Sequence, residues 1–134
     1  MASRVFTVEE ANALLVTVRP LVEQMVEHRR DLLVALGRQD RVTEAVRGNG
    51  GGLRPQEPTE LEAEIESAAA ALARCVEGIQ ELGAIVKDLD RGLVDFPARR
   101  GSEEVLLCWQ LGEDEIGYWH GRDSGFAGRK ELPL

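Results

Sequence analysis

An α+β fold is predicted: two long helices packed as an antiparallel, coiled-coil-like hairpin, then a small three-stranded antiparallel β-meander. Three observations predict it. Apolar residues recur at three- and four-residue spacing through the first two thirds of the chain, and a Gly/Pro-rich stretch at residues 48–58 interrupts that pattern once. Five of the six aromatic residues, Phe96, Trp109, Tyr118, Trp119 and Phe126, lie in the last 39 positions, where the period shortens to two. At 134 residues the chain holds one ordinary domain and no second core.

The first helix is expected to begin at Val8. Thr7 can accept from the backbone N–H of Glu10 while the Glu10 side chain reaches back, which is a capping box. Ala11, Leu14, Leu15, Val18, Leu21, Val22, Met25, Leu32, Leu33 and Leu36 then form one broad stripe, with Val42 and Val46 still in phase, so the helix runs to about residue 46 and dominates the segment 1–47. Pro20 lies inside it and should kink it, because proline lacks a donor and crowds the carbonyl of Val16. Gly48-Asn49-Gly50-Gly51-Gly52, with Pro55 and Pro58, reads as a flexible connector over 48–58.

Thr59 stands three residues before Glu62 and repeats the capping signal. Leu61, Ile65, Ala68, Leu72, Cys75, Ile79, Leu82, Val86 and Leu89 follow at alternating intervals of four and three. This heptad seam predicts a second helix over 59–92, with Gly92 as its stop. Beyond it, Leu93–Ala98, Glu104–Leu111 and Ile116–His120 read as strands, with Pro97 confining the first to an edge. Residues 121–134 read as a loop-like tail. The helices are longer than so small a sheet can cover, so a homodimer joined as a four-helix bundle is expected.

Charge narrows the partners. Residues 1–58 are balanced, residues 59–92 carry −5 and residues 93–134 carry −3, which argues against nucleic acid and anionic membrane. Acidic residues at the start, where a secretory signal would be apolar, and the lack of a spanning apolar run lead to an expectation of a soluble cytoplasmic protein. Cys75 and Cys108 have no metal-knot spacing and are expected to be reduced and buried. His28 falls on the apolar side of the first helix and reads as a packing residue, and Glu60, Glu62, Glu64 and Glu66 read as a solvated helix start.

Chemistry-bearing side chains concentrate between Asp95 and Arg129. Asp95, Cys108, Glu113, Glu115, His120 and Asp123 are candidate ligands or acid–base groups, and Arg99, Arg122 and Arg129 are candidate anion holders. A four-residue turn would set His120 opposite Leu107; a three-residue turn would set it opposite Cys108 and bring thiol and imidazole together. No cofactor is indicated. For a metal, Glu113, His120 and Cys108 are the remote candidates.

The strings Phe6-Thr7-Val8-Glu9-Glu10-Ala11-Asn12, Gly92-Leu93-Val94-Asp95-Phe96-Pro97-Ala98, Leu107-Cys108-Trp109, Leu111-Gly112-Glu113, Tyr118-Trp119-His120 and Gly125-Phe126-Ala127-Gly128-Arg129 are long and specific. On these the chain resembles an uncharacterised prokaryotic family, domain of unknown function 2203, over nearly its whole length; Val16 departs from it, standing where proline is expected. The resemblance implies no activity, and implies that Asp95, Trp109, Glu113, His120 and Arg129 act together at a ligand site. The expected function is a non-enzymatic, dimeric helical interaction module whose aromatic C-terminal cap binds a protein or small ligand. The alternative is a metal-dependent hydrolase or small-anion-binding enzyme using Asp95, Glu113 and His120.

Overall fold

Thr7 caps the first helix as its sequence predicts: its hydroxyl accepts from Glu10 N–H at 3.1 Å, and Glu10 Oε1 accepts from Thr7 N–H at 2.8 Å. The computed structural model describes residues 4–48 and 57–134, so most of the expected connector lies outside the described residues. Helix α1 spans Val8–Arg47, and Pro20 does not interrupt it. The carbonyl that Pro20 frees belongs to Val16, which is 74% exposed, so water can satisfy it.

Helix α2 spans Glu57–Glu81. It starts two residues before Thr59, with Pro58 in the first turn, where a missing N–H costs nothing. It also ends at Glu81, eleven residues short of the predicted stop at Gly92. Gly83, at φ +102°, turns the chain, and a Cβ there would lie 3.1 Å from the Phe6 ring and 3.2 Å from the Arg4 side chain. Strand β1, Ile85–Asp88, follows. Val86 and Leu89 kept the heptad phase by coincidence, since Val86 packs on the core from a strand.

The sheet has five antiparallel strands in the order β1-β2-β3-β4-β5, not three: β2 is Leu93–Arg100, β3 Glu103–Gln110, β4 Tyr118–Gly121 and β5 Lys130–Glu131. The additional strands come from the end of the supposed second helix and from the tail. Strand β2 is therefore internal, contrary to the edge position inferred from Pro97. Proline is tolerated there because β1 has already ended. The Pro97 carbonyl, on the same side of the strand as its nitrogen, accepts from Phe6 N–H at 2.7 Å instead of from a ladder partner. Gly92, also the expected helix stop, instead turns β1 into β2 at φ +64°.

One core joins both helices to one face of the sheet. Leu15, Val18, Val22 and Met25 of α1 and Leu72, Cys75 and Ile79 of α2 meet Val94, Phe96, Val105, Leu107, Trp109 and Trp119. Phe6 seals one end, its ring edge-on to Phe96 at 5.5 Å. The links from α1 to the sheet end of the molecule run from Asn12 to Arg29, which pairs with Asp90 at 3.1 Å. Further along, α1 meets α2: Arg38 pairs with Glu64 at 2.6 Å, and Ala35 and Leu61 are buried outside the main core.

Candidate functional site

Side chains alternate across a strand, so the residues between those of the core face project to the far side of the sheet. On that side Asp95 of β2 stands opposite Cys108 of β3, and Cys108 opposite Tyr118 of β4. His120 pairs with Leu106, one step diagonal to Cys108. Neither predicted register is found. The chain between β3 and β4 is not a tight turn but a loop tied to α1: Asn12 Oδ1 accepts from Ile116 N–H at 2.8 Å, and Arg19 donates to the Asp114 carbonyl at 2.6 Å. Asn12 and Arg19 were not singled out in the sequence as determinants of the site, although Asn12 closes the first string that carries the family resemblance.

Asp95, Cys108 and His120 converge. Their ligating atoms all lie within 4.8 Å of one another, and the residues are 1%, 0% and 2% exposed. His120 Nδ1 is 2.8 Å from the Gly121 carbonyl oxygen and Nε2 is 3.1 Å from Asp95 Oδ2. Asp95 Oδ1 has no hydrogen-bond partner. Burial raises the Asp95 carboxyl above the ordinary carboxylate value, against the opposing pull of His120. Burial and the neighbouring Asp95 push the Cys108 thiol up to about 11, so it stays protonated near neutrality and is a poor nucleophile.

Glu113 stands outside this cluster. Its Oε1 accepts from Gln110 N–H at 2.7 Å and from Arg129 at 3.2 Å. Arg129 lies 3.8 Å from the Tyr118 ring centroid and 4.4 Å from that of Phe126, and its guanidinium favours the ionised form of the Cys108 thiol beside it. Arg91 lies against Phe126 at 4.3 Å, so the tail, a single 3₁₀ turn at Phe126–Gly128, is clamped between two arginines at the sheet. Trp109 points the other way, into the core, and its indole N–H donates to the Glu113 carbonyl at 3.0 Å. Of the five residues expected to act together, Asp95 and His120 form one group, Glu113 and Arg129 another, and Trp109 supports the loop that carries Glu113. Glu115 and Asp123 are exposed, while Arg122 and Arg99 are ion-paired with Glu104 at 2.7 and 3.9 Å.

A second feature lies between the helices beyond the sheet. A groove of about 640 Å³ is lined by His28, Asp31, Val34 and Ala35 of α1 and by Glu60, Glu64 and the small residues Ala63, Ser67, Ala68 and Ala71 of α2. Leu33, Val34, Leu36 and Val46 are exposed on the same stretch of α1. No helix among the described residues is long and apolar enough to cross a membrane.

We find no match to the chain among the curated proteins or among the solved structures. The family model described as "Uncharacterized conserved protein (DUF2203)" matches residues 4–132, spanning both helices, all five strands and the buried cluster, and the chain belongs to that family.

Proposed function

We propose that the protein is a non-enzymatic binding module that assembles as a homodimer through the far halves of its two helices, folded back as an antiparallel hairpin, and leaves the aromatic cap of the sheet to a protein or small ligand. The observation that carries this reading is the open groove between the helices, into which exposed Val34 faces, where the main core has ended and, among the described residues, Ala35 and Leu61 are the buried apolar side chains of the two helices outside it. Two helices with so thin a seam bury too little to stand alone, and a second copy supplies the missing layer. A second copy is the occupant we propose: exposed Arg30 and Arg41 lie on α1 and exposed Glu62 and Glu66 on α2, so two copies can set opposite charges against each other.

The buried cluster favours a non-catalytic role. Its thiol is protonated, its three residues are sealed from solvent, and Glu113 is committed to Arg129. Light scattering at micromolar concentration tests the assembly. The wild type should show twice the chain mass of 14.7 kDa, and Val34→Glu, a change at a position 64% exposed in the single chain, should show the chain mass with unchanged circular dichroism. A monomeric wild type, or a dimer indifferent to Val34→Glu, contradicts the reading.

A further inference from the structure

The far face of the sheet holds a carboxylate, a thiol and an imidazole in mutual reach, with one carboxylate oxygen left unpartnered. A carbonyl oxygen only accepts, so the Gly121 carbonyl, 2.8 Å from Nδ1 of His120, places the ring hydrogen on that nitrogen. Nε2 of the neutral ring then presents a lone pair, and it faces Asp95 Oδ2, another acceptor, at 3.1 Å. Two acceptors at that separation are joined either by a proton or by a metal ion between them. The other oxygen of the same carboxylate, Oδ1, has no partner although Asp95 is 1% exposed.

We propose that Asp95, Cys108 and His120 form a structural site for one divalent transition metal of the zinc class, bound by the Cys108 thiolate, His120 Nε2 and the Asp95 carboxylate. The donor chemistry selects the ion. Zinc accepts sulfur, nitrogen and oxygen together, whereas calcium and magnesium require cages of oxygen. Donors around a tetrahedral zinc stand about 3.5 Å apart. Here they lie within 4.8 Å of one another, so side-chain adjustments on the order of an ångström close the site. The unpartnered Oδ1 supplies the fourth contact if Asp95 chelates.

The surroundings have the form of a metal site's outer layer. Gly121 orients the imidazole through Nδ1, and Arg129 stands beside the thiol and favours the thiolate. Charge balances in the bound state: the divalent ion displaces the thiol proton of Cys108, leaving two anionic donors and a neutral imidazole around a double positive charge. A groove of about 290 Å³ lined by Ile85, Lys87, Pro97 and Leu106 borders this face, Ile85 being the strand partner of Asp95 and Leu106 that of His120. One donor comes from each of β2, β3 and β4, so the ion ties together three strands whose pairing no single turn specifies.

The full chain, produced without a histidine tag, is exposed to Co²⁺ as probe, both folded and during refolding. The expected result is one Co²⁺ per chain, a near-ultraviolet thiolate-to-cobalt charge-transfer band that Zn²⁺ abolishes, and release of the thiol proton on binding near neutral pH. Cys75→Ala should retain the band. As the sequence has two cysteines, that result assigns the sulfur to Cys108 even if Cys108→Ala does not fold. His120→Asn should weaken binding by about 100-fold. Absence of the band under both regimes, binding without it, or its loss in Cys75→Ala overturns the proposal.

Discussion

Two side chains, Thr7 and Glu10, fix the start of α1, and their effect is measurable through acid. The Thr7 backbone N–H, then its hydroxyl, hold the Glu10 carboxyl below its ordinary value of 4.5. The folded value lies below the unfolded one, so the stabilisation is complete above the ordinary value and is lost as pH falls through the folded value. Glu10→Gln should therefore be less stable than wild type at neutral pH, and the two should converge by roughly pH 3 in denaturant titrations. An equal difference at both pH values would show that the carboxylate charge is not involved. Thr7→Ala should cost about 1 kcal/mol. Such local devices are legible in sequence because both partners lie within one turn. The grouping of Asp95 with Cys108 and His120 was not. The residue types were evident, but their meeting depends on strand register, and register depends on Asn12 and Arg19 holding a loop 104 and 95 residues away. Glu113 keeps Arg129 and Trp109 of the expected group but stands apart from Asp95 and His120 for the same reason: its ties to Gln110 and Arg129 form only once that loop is placed.

Among the elements, α1 follows its sequence from cap to end, and α2 does not. The heptad pattern carried through Gly83 because apolar residues at 82, 86 and 89 serve a strand and a turn as well as a helix; the competing signal was the glycine itself, beside the Ile85-Val86 pair that favours strand. The turn at Gly92 tests how tightly the elements are joined. A Cβ there would lie 2.8 Å from Leu111 Cβ and 2.9 Å from Val22, at a positive φ, whereas Gly101 has the same φ of +64° and open space around it. Gly101→Ala should cost about 1–2 kcal/mol for its backbone conformation alone. Gly92→Ala adds overpacking of the core and should cost about 3 kcal/mol or more, read from thermal or denaturant unfolding. Equal losses would mean that the junction between α1 and the sheet yields more readily than its spacing implies. Strand β5, two residues long and drawn from the tail, left no sequence pattern at all; Lys130 and Glu131 pair with Trp119 and Tyr118 only because the tail folds back there.

The whole molecule divides by what covers its helices. Through Val26, α1 lies on a core built from both helices and strands β1 to β4, and it is tied to the sheet end as far as Arg29. Beyond that point its buried neighbours belong to α2. The division was legible as a mismatch of lengths, since a helix of 40 residues extends about 60 Å and no small sheet spans that. Helix–sheet order and the α+β class follow from periodicity, while strand number and register follow from contacts across the chain. If the uncovered halves of the helices are where two copies meet, their protection depends on concentration and that of the sheet does not. Amide hydrogen exchange at nanomolar and at high micromolar protein is the direct measurement. Residues 30–47 of α1 should exchange more slowly at the higher concentration while residues 8–26 and the strands stay unchanged. Protection of residues 30–47 that is the same at both concentrations, in a chain that scatters as a monomer, would contradict assembly through this surface.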